Sequence, residues 1–185
     1  MYELSGGTMG IVGLGGTGRA IAIRAKAFGM DCIAVDSEPV AQTPEVKTLW
    51  GMERFHEMLS LSDVVTICCP LTPETRGLFD DAAFAAMKPN AYIINVTRGP
   101  IIDLGAIAKA MAENRIGGAG LDVHPVEPLP EDHPLWQHPN VVITPHTAGA
   151  SQWRARRNVR RFIDNLPRYR QGLPLEGVVD KQKGF

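Results

Sequence analysis

Between the apolar run Met9–Val12 and the helical pattern Arg19–Phe28 the chain reads Gly13-Leu14-Gly15-Gly16-Thr17-Gly18. An apolar strand that enters glycines at this spacing, with a helix leaving them, can fold in few ways. Gly13 permits the tight turn, Gly15 lets the backbone approach a pyrophosphate, and Gly18 lets helix and strand pack closely. The phosphates then lie on the free N–H groups and the positive end of the new helix.

The continuation supports this reading. After the helix ends near Gly29, the apolar segment Cys32-Ile33-Ala34-Val35 runs into Asp36. A carboxylate about 20 positions beyond the glycines is placed to accept hydrogen bonds from an adenine ribose. It repels a 2′-phosphate and has no arginine beside it, so the expected cofactor is NAD rather than NADP.

Downstream, apolar strand-like runs alternate with helical patterns, which predicts an α/β fold: a Rossmann-type doubly wound parallel sheet with helices on both faces. The later strands are expected at Val64–Cys68, Ala91–Val96, Ile116–Asp122 and Val141–Thr144. Asp103 can cap a helix whose Leu104, Ile107, Ala108 and Met111 share one face. Asp80 or Asp81 can cap another that buries Phe84 and Met87 and stops at Lys88-Pro89-Asn90. Tyr2–Thr8 reads as a connector. Ala41–Leu61 is less periodic, with a short helix around Glu53–Leu59. His124–Asn140 reads as a long loop, of the kind that usually serves function. The last helix is expected over Ser151–Leu166, with Val159, Phe162, Ile163 and Leu166 as its apolar stripe, Trp153 and Phe162 in the core and Pro167 as its stop. Gly172–Phe185 reads as an irregular tail.

The chain has 185 residues, enough for one well-packed domain, and a net charge of −1 that gives no general attraction to nucleic acid or membrane. No run approaches the ~20 apolar residues of a membrane span, and no signal peptide opens the chain. Cys32 and the adjacent Cys68-Cys69 lie in apolar segments, as reduced thiols of a cytoplasmic protein do.

Ligands of open parallel sheets bind outside the carboxyl ends of the strands. Arg98 follows the run Ile93–Thr97, Glu127 lies five residues past Asp122, and His146 follows Val141–Pro145. These types are complementary. Reduction of a ketone by hydride needs a cationic clamp and a proton donor. Arg98 offers a planar fork for a carboxylate and its adjacent carbonyl, and His146 can donate or accept the proton. Glu127 beside His146 would orient the ring and favour its charged form. Taken singly, Arg98 reads as a helix-start arginine paired with Asp103, Glu127 as a solvated loop residue and His146 as a turn residue; their joint appearance favours the site. His124, His133 and His138, near Glu127, Glu131 and Asp132, match no compact ligand spacing, so no metal site is expected. The last helix carries Arg154, Arg156, Arg157, Arg160, Arg161, Arg168 and Arg170 against Asp164. Without interleaved stacking aromatics this reads as a solvated or docking face rather than a nucleic-acid surface.

Gly10–Gly18, Ser62–Val65, Cys69–Gly77, Met87–Pro89, Ile94–Gly99, Gly118–Val123, Glu127–Leu129, His133–Leu135 and Thr144–Gly149 stand in one order along nearly the whole chain. In this the chain resembles the cofactor domain of the D-isomer-specific 2-hydroxyacid dehydrogenases, a family that includes D-lactate, D-glycerate (hydroxypyruvate), phosphoglycerate, phosphite and formate dehydrogenases. The resemblance implies that Arg98 binds substrate, Glu127 partners the histidine and His146 is the acid–base. It implies a cofactor site of Gly13, Gly15, Gly16, Thr17, Gly18 and Asp36, with Cys69, Pro70 and Thr75 on the adenosine side. Val96, Thr97, Asp122 and Gly149 would serve the nicotinamide end, Asp122 at its carboxamide. The formate branch has an amide where Glu127 stands, which argues against formate.

The resemblance further implies a homodimer and a small 2-oxo or 2-hydroxy acid substrate. Family members carry a substrate-side domain whose larger part precedes the fingerprint; here seven or eight residues precede the first strand. The expectation is therefore a cofactor domain over residues 1–150, followed by a basic helix and tail, 151–185, that pack toward a missing substrate domain. Such a chain would retain the cofactor site, with weak or no turnover. The competing expectations are a noncatalytic NAD(H)-binding regulatory module, as in the C-terminal-binding-protein corepressors, and an inactive fragment.

Overall fold

The computed structural model describes residues 3–184. Tyr2, in the expected connector, and Phe185, at the end of the expected tail, lie outside them. The chain divides into two compact units, Met1–His146 and Thr147–Phe185.

The first unit is one parallel sheet. Its strands are β1 (Thr8–Val12), β2 (Asp31–Val35), β3 (Val46–Trp50), β4 (Val64–Ile67), β5 (Tyr92–Asn95), β6 (Gly118–Leu121) and β7 (Val141–Ile143), in the order β3-β2-β1-β4-β5-β6-β7. Every neighbouring pair is parallel. The connections include α1 (Gly16–Ala27), α2 (Phe55–Leu61), α3 (Asp81–Ala86) and α4 (Leu104–Ala112). The order reverses between β1 and β4, and at such a switch point the loops splay to leave a crevice at the carboxyl edge.

Alternation along the strands sorts the core into two layers. Ile11, Cys32 and Ala34 pack with Ala22 and Ala25 of α1 on one face. Val12, Ile33 and Val35 join Phe55 and Met58 of α2, Phe84 of α3, and Ile107 and Met111 of α4 on the other. Successive side chains of a strand point to opposite faces, so a strand buried on both reads as an unbroken apolar run. The fully buried Phe79 meets Phe55 edge to face, with ring centroids 5.3 Å apart.

The caps follow the sequence. Asp103 accepts the Ala106 amide at 2.8 Å, and Asp80, not Asp81, accepts that of Ala83 at 2.9 Å. Asp80→Ala and Asp103→Ala are each expected to cost about 1 kcal/mol, read as a Tm lowered by roughly 2–4 °C. Asp81→Ala, which removes an exposed pair with Lys109, should shift Tm less.

Four expectations need correction. Val46–Trp50, read as aperiodic chain, forms β3, an edge strand paired only to β2. The long loop 124–140 contains a short 3₁₀ turn, Pro134–Gln137. In the second unit α5 runs Arg154–Arg170 with Pro167 inside it. Proline forfeits one intrahelical bond, but the last turn closes regardless: Gln171 donates to the Pro167 carbonyl at 3.1 Å and Leu173 to that of Arg168 at 2.9 Å. Trp153 and Phe162 are not core residues, being 47% and 65% exposed. A unit made of one helix and an irregular tail offers no second layer against which to bury them.

Candidate active site

The carboxyl edge of the sheet gathers the residues singled out above. The fingerprint leaves β1, Asp36 leaves β2, Cys69 follows β4, Arg98 follows β5, the segment Asp122–Glu127 follows β6 and His146 follows β7.

At β1 the backbone turns at Gly13, whose φ of +95° suits glycine. The Gly13 amide donates to the Val35 carbonyl at 2.8 Å, and the Leu14 amide donates to Asp36 Oδ2 at 2.7 Å. Asp36 Oδ1 accepts from Glu38 at 2.9 Å. The acidic side chain is thus fixed beside the glycine turn. Gly15, Gly16 and Thr17 are exposed, and a Cβ at either glycine would meet nothing within 4 Å. The first helical bond here runs from Arg19 N–H to Gly15 O at 3.0 Å, so the amides ahead of it face outward at the helix start. An open glycine shelf, outward amides and a carboxylate at the next strand end fit a dinucleotide.

Beyond β4 Cys69 is buried, and burial pushes its thiol up to about 12; Cys68 is pushed up to about 11 for the same reason. All three cysteines are unpaired. Pro70 and Thr75 belong to one turn, the Thr75 hydroxyl donating to the Pro70 carbonyl at 2.8 Å.

The turn that carries Arg98 is organised by Asn95, which is fully buried. Its Oδ1 accepts the Thr97 amide and hydroxyl at 3.1 and 3.2 Å, and its Nδ2 donates to the Arg98 carbonyl at 3.0 Å. Thr97 and Val96 are half-buried, whereas Arg98 is exposed. Its guanidinium bonds the Thr97 carbonyl at 2.7 Å, not Asp103. Asn95 was not singled out for a role; a polar residue ending an apolar strand is the signal that marks it.

Glu127 and His146 meet. Glu127 Oε2 lies 2.8 Å from His146 Nδ1, and Oε1 accepts the His124 amide at 3.0 Å. A carboxylate only accepts, so Nδ1 carries the proton and Nε2 is the ring nitrogen left for chemistry. The hydrogen bond from His146, with that from the His124 amide, holds the Glu127 carboxyl below its usual range. His146 has a φ of +55°, rare outside glycine, and is pinned by its amide, which donates to the carbonyls of Asp122 at 2.8 Å and Thr144 at 3.0 Å. Asp122 is buried and accepts the Thr144 hydroxyl. A cleft of about 350 Å³ beside the pair is lined by Asp122, His124, Leu129, Trp136, Ile143 and Thr144 among others. His124 was read only as a rejected metal ligand. It is buried, and its Nε2 has no hydrogen-bond partner. Gly149 falls in the second unit, where it is exposed.

A seven-stranded parallel sheet with a glycine fingerprint at its switch point defines a Rossmann-type dinucleotide-binding domain. Residues 1–148 match the family described as "D-isomer specific 2-hydroxyacid dehydrogenase, NAD binding domain", and the chain belongs to that family. A glyoxylate reductase of Korarchaeum cryptofilum is 38% identical over 98% of this chain and 54% of its own length. A D-3-phosphoglycerate dehydrogenase of Bacillus subtilis is 40% identical over 96% of this chain and 34% of its own. The chain thus spans between a third and about half of these relatives. Among solved structures, an NADPH-dependent glyoxylate/hydroxypyruvate reductase from Sinorhizobium meliloti in complex with NADP and sulfate aligns with a TM-score of 0.91 at 33% identity, over 100% of this chain and 59% of that one. The NAD-complexed D-isomer specific 2-hydroxyacid dehydrogenase of Lactobacillus delbrueckii ssp. bulgaricus aligns at 0.81 and 32%, over 97% and 57%.

Proposed function

We propose that this chain is the cofactor-binding portion of an NAD-dependent dehydrogenase that interconverts a 2-oxo acid and a D-2-hydroxy acid. The observation that carries the proposal is the 2.8 Å pair of His146 Nδ1 and Glu127 Oε2 at the carboxyl edge of a dinucleotide-binding sheet. In this reading Arg98 clamps the substrate carboxylate and polarises the adjacent carbonyl. His146 Nε2 gives its proton to the carbonyl oxygen as charge develops there, and takes it back in the reverse direction. Glu127 keeps the ring oriented through its hydrogen bond to Nδ1. Gly13, Gly15, Gly16, Thr17, Gly18 and Asp36 hold the pyrophosphate and ribose end of the cofactor, with Cys69, Pro70 and Thr75 along the adenosine. Val96, Thr97 and Asp122 serve the nicotinamide end. The bound nicotinamide supplies or accepts the hydride.

What supports NAD over NADP is the fixed Asp36 carboxylate, with Glu38 two residues on and no arginine between Asp36 and Val40. The apolar residues Val159, Phe162, Ile163 and Leu166 of α5 are exposed, which supports reading 151–185 as the segment that packs toward a substrate-side domain. Exposed apolar surface also favours self-association, which supports a homodimer.

The test is a fluorescence titration of the chain with NADH and NADPH, repeated on Asp36→Ala and followed by glyoxylate or hydroxypyruvate. Saturable binding that prefers NADH and weakens about tenfold in the variant, as loss of a charged hydrogen bond predicts, supports the cofactor assignment. Consumption of NADH on adding the oxo acid supports the roles of Arg98, Glu127 and His146. Absent binding, or an unchanged affinity in the variant, overturns the site.

A further inference from the structure

β5 ends on a residue foreign to an apolar strand. Asn95 is fully buried, yet both polar groups of its side chain are used. Oδ1 accepts the Thr97 amide and hydroxyl, and Nδ2 donates to the Arg98 carbonyl. The bond to the Thr97 amide closes an Asx turn, in which a side chain replaces the backbone acceptor of an ordinary turn. Its consequence reaches the guanidinium. Arg98 Nη1 bonds the Thr97 carbonyl, so the residue whose amide and hydroxyl Asn95 holds also supplies the acceptor that aims the arginine. On its far side the Arg98 carbonyl takes a longer bond from the Ile101 amide, at 3.3 Å.

The main chain of Asn95 leads to the other candidate group. Its carbonyl accepts the Asp122 amide at 3.0 Å, and the Asp122 carbonyl accepts the His146 amide at 2.8 Å. The end of β5 is thereby tied through Asp122 to the histidine.

We propose that Asn95 is a positioning residue of this site: its side-chain amide sets where Arg98 stands, and its main-chain carbonyl ties that position to the segment that holds His146. The proposal rests on reading Arg98 as the substrate clamp and His146 as the acid–base, and its test does not require turnover. Clamp and proton donor act on neighbouring atoms of one small substrate, and an error of about 1 Å between them costs about a hundredfold in rate. The position needs an acceptor and a donor on one uncharged side chain. A carboxylate accepts but cannot donate, and an aliphatic side chain leaves the Thr97 amide without its partner. A hydroxyl can take the Thr97 amide in a weaker turn of the same kind, but the donor to the Arg98 carbonyl is lost. Side chain and main chain are therefore separable. Replacing the side chain releases Arg98 and leaves the path to His146 intact.

The experiment is NMR spectroscopy of the isotope-labelled full chain in wild type, Asn95→Ser and Asn95→Leu. The signals read are the Thr97 amide, the Arg98 Nε–H, assigned through Arg98→Lys, and the His146 amide. Hydrogen exchange at Thr97 is expected to quicken about tenfold in Asn95→Leu, as loss of a buried hydrogen bond predicts, and by less in Asn95→Ser. The Arg98 Nε–H order parameter should fall in the same order, towards the flexible range below about 0.6. Exchange of the His146 amide should not change. A wild-type Arg98 value already in the flexible range overturns the proposal, as does a wild-type value retained in whichever variant folds. So does a His146 amide that quickens in step with Thr97, since Asn95 would then hold the sheet edge as a whole and not Arg98. NADH titration of the wild type reports separately on the cofactor reading. Absent binding with the selective response at Arg98 intact defeats the dehydrogenase assignment and leaves the anchoring by Asn95 standing.

Discussion

Gly99→Ala is expected to lower the stability of the first unit by about 3 kcal/mol, with Tm falling by roughly 6–12 °C in a thermal melt followed by circular dichroism. A methyl group at Gly99 would stand 1.9 Å from the carbonyl carbon and 2.0 Å from the carbonyl oxygen of His124. Neither atom is the end of a flexible side chain, so relief requires one backbone segment to leave the other. Both segments are anchored. Gly99 follows a turn tied to the buried Asn95, and His124 follows Asp122, whose amide donates to the Asn95 carbonyl at 3.0 Å. Because Gly99 adjoins Arg98 and His124 carries the amide on Glu127 Oε1, separating them disturbs both candidate groups at once. A Tm within about 1 °C of wild type would mean that the two segments part easily, against the usual cost of overpacking.

Much of this arrangement was legible in the residues, for identifiable reasons. Cys32-Ile33-Ala34-Val35 reads as a strand because both faces are buried, leaving no polar alternation to confuse it with a surface element. Asp80 and Asp103 are visible because capping is local: each carboxylate reaches an amide three residues on. β3 was not legible. Val46-Lys47-Thr48-Leu49-Trp50 sits at the sheet edge, with Pro44 and Gly51 around it, and its pairing to β2 contains a register shift. The close approach of the His124 backbone to Gly99 was hidden for another reason: nothing in Val123-His124-Pro125 announces a contact that distant in sequence. The end of α5 misled the reading because Pro167 removes only one bond from a helix whose carbonyls find acceptable donors beyond it. Its stripe of Val159, Phe162, Ile163 and Leu166 was correctly apolar, yet periodicity reports a face that needs covering and not whether this chain covers it.

The glycines of the fingerprint are expected to separate into two kinds when each is replaced by alanine. At Gly18 a Cβ would stand 2.2 Å from the Gly13 carbonyl oxygen and 3.1 Å from Ile11 Cγ2. The Gly13 carbonyl has little freedom to yield. Its residue adopts φ +95°, donates to Val35, and is backed by Cys69, whose amide nitrogen would lie 2.7 Å from a Cβ at Gly13. Replacing glycine inside a helix gains at most about 1 kcal/mol in propensity, against an overpacking cost of about 1–3 kcal/mol or more. A backbone contact this short puts Gly18→Ala at the upper end, so the overlap wins and both Tm and NADH affinity should fall. At Gly15 the position is open: φ is −76° and nothing lies within 4 Å of a Cβ. Alanine there should cost only a few tenths of a kcal/mol at the helix cap and leave Tm within about 2 °C. It should nevertheless weaken NADH about tenfold, because the methyl group stands where the pyrophosphate must approach the backbone. Melting curves and NADH titrations of both variants decide the matter. If Gly15→Ala binds NADH like wild type, the pyrophosphate does not pass over Gly15 and the proposed use of this loop fails. If Gly18→Ala melts like wild type, the close packing of α1 on β1 is not what requires glycine there.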